Sequence, residues 1–117
     1  MKLIGSRTEQ EFREELMKSN QSLFSSDGDQ RLLEVLKKLY PQMLTAYIIH
    51  WIPEQGEDLY KILINDDVIA KIELSHDNVV APIVESILIP QYMFRLSRIK
   101  QIQLAVALDL ARRDMAK

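Results

Sequence analysis

The clearest pattern along the chain is a pair of alternating apolar runs separated by a short polar stretch. If Asn65, Asp66 and Asp67 form a three-residue loop, one face collects Tyr60, Ile62, Ile64, Val68, Ala70, Ile72 and Leu74. The opposite face then carries Leu59, Lys61, Leu63, Ile69, Lys71 and Glu73. A two-residue loop would slip the pairing by one and set Lys61 beside Ala70 or Ile72, mixing apolar with charged positions. The spacing therefore predicts a β-hairpin with Lys61 opposite Lys71, at a small like-charge cost. Asn and Asp tolerate left-handed backbone and bond their own neighbours, so Asp66 and Asp67 read first as turn residues.

Upstream, Met43 to Ile52 is rich in β-branched and aromatic residues and predicts a strand. Strict alternation puts Ala46, Ile48 and His50 on one face and Tyr47, Ile49 and Trp51 on the other. Both sets are largely apolar, so this strand should sit inside the sheet with both faces at least partly covered. Pro53 to Glu57 has the length of a hairpin loop. Downstream, Ser75-His76-Asp77-Asn78 is a polar turn, and Ile83 to Ile89 fits an edge strand because Pro82 cannot occupy a central ladder.

Helical spacing flanks this β-region. Thr8-Glu9-Gln10-Glu11 matches a capping box, and Phe12, Leu16 and Met17 give a narrow stripe that fades near Asn20. Asp27-Gly28-Asp29 lacks the later ligands of a calcium loop and reads as a cap for the next helix. Leu32, Leu33, Leu36 and Leu39 give that helix a better stripe, which Pro41 stops. From Gln91 to about Ala116 strong helix formers run without glycine or proline, and Pro90 suits a first helical turn. The order predicts an α+β fold: two amino-terminal helices, a three- to four-stranded antiparallel meander, and a long carboxy-terminal helix packed on the sheet.

Composition narrows the functional classes. A length of 117 residues predicts one domain spanning 1–117, large enough to bury roughly two-thirds of its unfolded surface. The net charge of −2 argues against a dedicated nucleic-acid binder, which normally carries a strongly basic footprint. With no cysteine, disulfides, thiolate metal sites and cysteine nucleophiles are excluded. No run approaches the roughly 18 apolar residues of a membrane helix, and the first residues do not resemble a secretory signal. A cytoplasmic, soluble protein is the expectation.

Candidate chemistry is sparse. His50 lies inside a hydrophobic strand and His76 in a turn beside Asp77. Two histidines on separate elements do not make the three- or four-ligand set of a zinc site, so neither a metal nor a cofactor is expected. No serine has the flanking glycines of a nucleophile elbow, and three glycines cannot assemble a familiar phosphate loop. The remaining features suit contact with a macromolecule. Glu54, Glu57 and Asp58 cluster at one loop and Asp66 with Asp67 at another, each able to steer a basic partner. Arg95 and Arg98, with Arg112 and Arg113, give the last helix its basic positions, a basis for the alternative of a nucleic-acid-associated regulator. The last helix and first strand carry more apolar surface than one side of a small domain needs, making Trp51, Met93 and Phe94 candidate anchors for a homodimer or other partner. The expectation is a non-enzymatic protein-binding module of the inhibitor, immunity or adaptor kind, with a small enzyme using His50 or His76 as the third reading.

Overall fold

A computed structural model describes residues 3–25 and 30–117. The linker at 26–29, with the expected Asp27-Gly28-Asp29 cap, lies outside the described residues. The elements run α1 (Arg7–Phe24), α2 (Gln30–Leu39), β1 (Ala46–Glu54), β2 (Glu57–Ile64), β3 (Val68–Ser75), β4 (Ile83–Leu88), α3 (Ile89–Met93) and α4 (Arg98–Met115). The strands form an antiparallel meander in the order β1-β2-β3-β4, so the α+β architecture follows the predicted sequence of elements.

The hairpin that sorted the apolar positions has the expected register. Ile64 pairs with Val68, Ile62 with Ala70 and Lys61 with Lys71. Its loop is anchored by Asn65, which is buried and adopts a left-handed φ of 51°. The Asn65 carboxamide oxygen accepts from the N–H groups of Leu44 (2.8 Å) and Thr45 (3.2 Å), and its Nδ2 donates to the Gln42 carbonyl (3.2 Å). One polar side chain thereby satisfies backbone groups that would otherwise be orphaned where the chain enters β1.

Because the sheet alternates cleanly, it builds a core on each face. On one, Leu16 of α1 and Leu104, Ala107 and Ala111 of α4 pack with Tyr47, Leu63 and Ile69. On the other, Leu23 of α1 and Leu32 and Leu36 of α2 cover Ala46, Ile62, Ala70 and Ile72. The front of β1 is covered on both sides, as its composition requires, but from Trp51 to Glu54 the strand is exposed.

Strand β1 lies at the edge of the sheet rather than inside it, because helices and not a further strand cover its apolar faces. Its outer backbone groups must therefore be satisfied or shielded. Asn20 Nδ2 donates to the Ala46 carbonyl (2.9 Å), Ser19 Oγ accepts from Ile48 N–H (3.1 Å), and Gln103 Nε2 donates to the Ile49 carbonyl (3.0 Å). Beside these, the Asp114 carboxylate accepts from Thr45 Oγ1 (2.7 Å) and from the Tyr47 hydroxyl. Burial, reinforced by the bond to Asp114, pushes the Tyr47 phenol up to about 12.

Several boundaries depart from the sequence reading. Helix α1 is capped two residues earlier than Thr8. Ser6 Oγ accepts from Glu9 N–H (3.2 Å), and the Glu9 carboxylate accepts from the N–H groups of Ser6 and Ile4. Burial works against ionisation of Glu9, but these donors outweigh it and hold its carboxyl below the ordinary value. The helix also continues past Asn20 to Phe24, because Leu23 reaches the second core. Strand β1 starts at Ala46 rather than Met43 and extends through Pro53 to a tight turn at Gln55-Gly56, where Gly56 takes a φ of 89°. The helix expected from Gln91 is divided. Ser97 caps α4 by accepting from Lys100 N–H (3.3 Å), and Gln101 Nε2 closes the link by donating to the Leu96 carbonyl (3.1 Å). The carboxy-terminal helix on the sheet is therefore 18 residues long, preceded by the short α3 with Pro90 in its first turn.

Candidate binding surface at the end of the sheet

The decisive local feature is a β-bulge. Ile48 faces Ile62 and His50 faces Lys61, leaving Ile49 as the extra residue. Beyond it the alternation of β1 is reversed. Trp51 comes to the face of Ala46 and Ile48, and His50 to the face of Tyr47, opposite to the sides that strict alternation assigns. Bulges re-aim side chains in this way because two residues on one strand oppose one on its partner.

Trp51 consequently lies over Tyr60, with ring centroids 6.3 Å apart and planes 7° from parallel. Its indole N–H donates to Asp58 Oδ1 (3.2 Å), while Asp58 Oδ2 is 3.1 Å from His76 Nε2. His76 N–H donates to the Gly56 carbonyl (2.9 Å), tying the β3–β4 turn to the β1–β2 turn. Arg31 of α2 adds a guanidinium bond to the Ser75 carbonyl and one to that of Asp77 (3.3 Å). Trp51 is nevertheless 56% exposed. A large aromatic ring is held in place by stacking and a hydrogen bond, yet most of it faces solvent. Beside it opens a cavity of about 450 Å³ lined by Ser19, Leu23, Leu32, Ile48 and Tyr60. Val79, Val80 and Ile83 leave further apolar side chains exposed at the same end of the sheet.

The predicted site residues fall into different places. Glu54 and Glu57 pair across the β1–β2 turn, while Asp58, one residue on, faces the other side and serves Trp51 and His76. Asp66 and Asp67 occupy the far end of the sheet, where Asp66 pairs with Arg112 (3.4 Å). Burial, reinforced by a hydrogen bond and repulsion from Asp66, raises the Asp67 carboxyl. Arg113 and Arg13 both pair with Asp109 (3.2 and 3.0 Å). Arg98 and Arg112 lie at opposite ends of α4, about 21 Å apart at 1.5 Å per residue, so the arginines make no continuous face. Met93 packs against the core, whereas Phe94 in the α3–α4 link is 88% exposed.

No protein family, curated protein or solved structure matches the chain. Among the described residues no three histidine or acidic side chains gather to hold a metal ion, and no helix is long and apolar enough to cross a membrane. The Asp58–His76 pair, 18 residues apart in sequence, was the feature that sequence reasoning missed. Sequence proximity sets His76 beside Asp77, but the side chain that reaches its ring is Asp58 at the start of β2. Asp58 spends its other oxygen on Trp51, so the pair fixes an aromatic surface as much as it orients an imidazole.

Proposed function

We propose that this protein is a non-catalytic protein-binding module that acts by occupying a partner's surface, in the manner of a small inhibitor, immunity protein or adaptor. The observation that carries this reading is Trp51, more than half exposed while pinned by Tyr60 and Asp58. Interfaces concentrate their affinity in a few rigid aromatic anchors surrounded by contacts that exclude water. Trp51 has the rigidity, the neighbouring apolar cavity offers a pocket for a partner side chain, and Val79 and Val80 in the turn after β3 add exposed apolar surface at the same end of the sheet. Asp77 in the adjacent turn favours a partner whose facing surface is basic, and Glu54 and Glu57 on the other side of the hairpin add to the field that raises its rate of encounter.

The test is affinity capture with the wild-type chain and the Trp51→Ala variant, both shown to be folded by circular dichroism. The reading expects one stoichiometric protein recovered by the wild type and reduced roughly tenfold or more by the variant, the effect of losing a central aromatic anchor. Equal recovery by both chains, or a partner that is merely another copy of this chain bound through Phe94, would refute it.

A further inference from the structure

On the opposite face of the same hairpin the chemistry is inverted. A cavity of about 470 Å³ lies between the sheet and the α3–α4 corner, and four cations line it: Lys61 from β2, Lys71 from β3, Arg95 from the link and Lys100 from α4. No carboxylate among the described residues belongs to the lining. Among the described residues none of these four cations forms an ion pair, although Glu85 stands across from Lys71 in the β3–β4 register. Lys61 instead extends over the Tyr92 ring, 5.7 Å from its centroid. The pairing that sorts the hairpin's apolar residues forces Lys61 beside Lys71, and the Ser97 cap brings Lys100 in from the first turn of α4. Four segments thus deliver positive charge to one concavity whose described lining holds no carboxylate.

We propose that this cavity is a binding site for the polyphosphate group of a small organic phosphate. Lysines act on phosphate as mobile point charges with several donors each, and an arginine adds a planar fork. Several such groups around one cleft match a di- or triphosphate better than a single carboxylate. The cavity has the volume of an ordinary small-ligand site. Ile87, Tyr92 and Leu96 supply apolar and aromatic wall for the organic portion, and Gln91 and Ser97 supply neutral polar groups. The first turn of an 18-residue helix adds the positive end of its dipole. Burial, with Lys100 and Lys71 nearby, already lowers the Lys61 ammonium, a repulsion that a bound polyanion relieves.

Isothermal titration calorimetry at low salt with ATP as the probe tests the site, using the wild type, the Lys61→Gln/Lys100→Gln double variant, and Arg113→Gln at the far end of α4. The expected result is binding by the wild type and Arg113→Gln, and an affinity about tenfold or more weaker in the double variant, the loss expected for charge-assisted contacts. Arg95→Gln, in a surface link, gives a second reading of the same loss should the double variant prove unstable. Absence of ATP binding, binding undiminished by these changes, or binding of a single-stranded oligonucleotide but not of ATP would each overturn the proposal.

Discussion

On one face of the β1–β2 hairpin the polar groups answer one another, and on the other they do not. Around Trp51 the indole, the Asp58 carboxylate and the His76 imidazole are bonded in a chain, and the exposed material is aromatic and aliphatic. Around Lys61 four positive groups surround a cleft without a carboxylate in its lining. The first surface is finished before any partner arrives, so recognition there depends on shape and apolar area. The second is finished only by a ligand of opposite charge, so recognition there depends on salt. The sequence neighbours His50 and Trp51 go to opposite surfaces by ordinary alternation, and the extra residue Ile49 just before them decides which goes to which.

Removing that extra residue should have the largest effect. Deletion of Ile49 takes a buried side chain from the core and forfeits the Gln103 bond to its carbonyl, while His50, now following Ile48 directly, still faces Lys61 and leaves Trp51 on the face of Tyr60. A loss of about 4 kcal/mol is expected, in the upper range for deleting a large buried aliphatic residue. Urea unfolding gives the energy, and unchanged emission from the chain's single tryptophan checks that Trp51 keeps its place over Tyr60. A shifted emission would show that Trp51 has left the face of Tyr60, and unchanged stability would show that Ile49 contributes nothing to the core.

A smaller pair of changes should differ in sign. Asp58→Ala removes the acceptor for Trp51 and the partner of His76, and is expected to destabilise the fold by about 1–2 kcal/mol. Lys61→Gln relieves the cross-strand repulsion from Lys71 and is expected to stabilise by roughly 0.5 kcal/mol at low salt. Added salt should erase the second effect more completely than the first. Two destabilising results would mean that Lys61 contributes through its stem and its contact with Tyr92 more than it costs through its charge.

How much of this was legible in the sequence differs between the two surfaces. The register of β2 and β3, and with it the Lys61–Lys71 juxtaposition, could be read because a one-residue slip would bury a lysine. The two-sided covering of β1 at Ala46 to Ile49 could be read from its unbroken apolar run. The bulge could not, since Ile49 is as good a strand residue as its neighbours and nothing local marks it as extra. Composition therefore singles out Trp51 as an anchor, while strict alternation assigns it to the wrong face. The meeting of Asp58 with His76, and of Lys100 and Arg95 with the hairpin lysines, are tertiary events that no spacing encodes. The start of α4 had a signal in Ser97, but uninterrupted helix propensity on both sides outweighed a single capping residue.

The smallest expected effect isolates the charge on the lysine face. Burial first, and then the proximity of Lys100 and Lys61, lower the His50 imidazole below the ordinary histidine value. The unfolded chain, with a histidine near pH 6.5, therefore takes up this proton more readily than the folded one. The stability that His50 contributes is present above about pH 6.5 and is lost as the pH falls from there through the folded value. The size should be roughly a few tenths of a kcal/mol once solvent screening is allowed for. Proton NMR of the His50 ring across this range checks the direction, and comparison with His50→Asn separates it from the acidic groups that titrate lower. If positive charge is part of the cause, Lys61→Gln must move the His50 midpoint back up, and so must a bound polyphosphate. If neither moves it, burial alone sets the imidazole, and the cations do not act on His50 as a field.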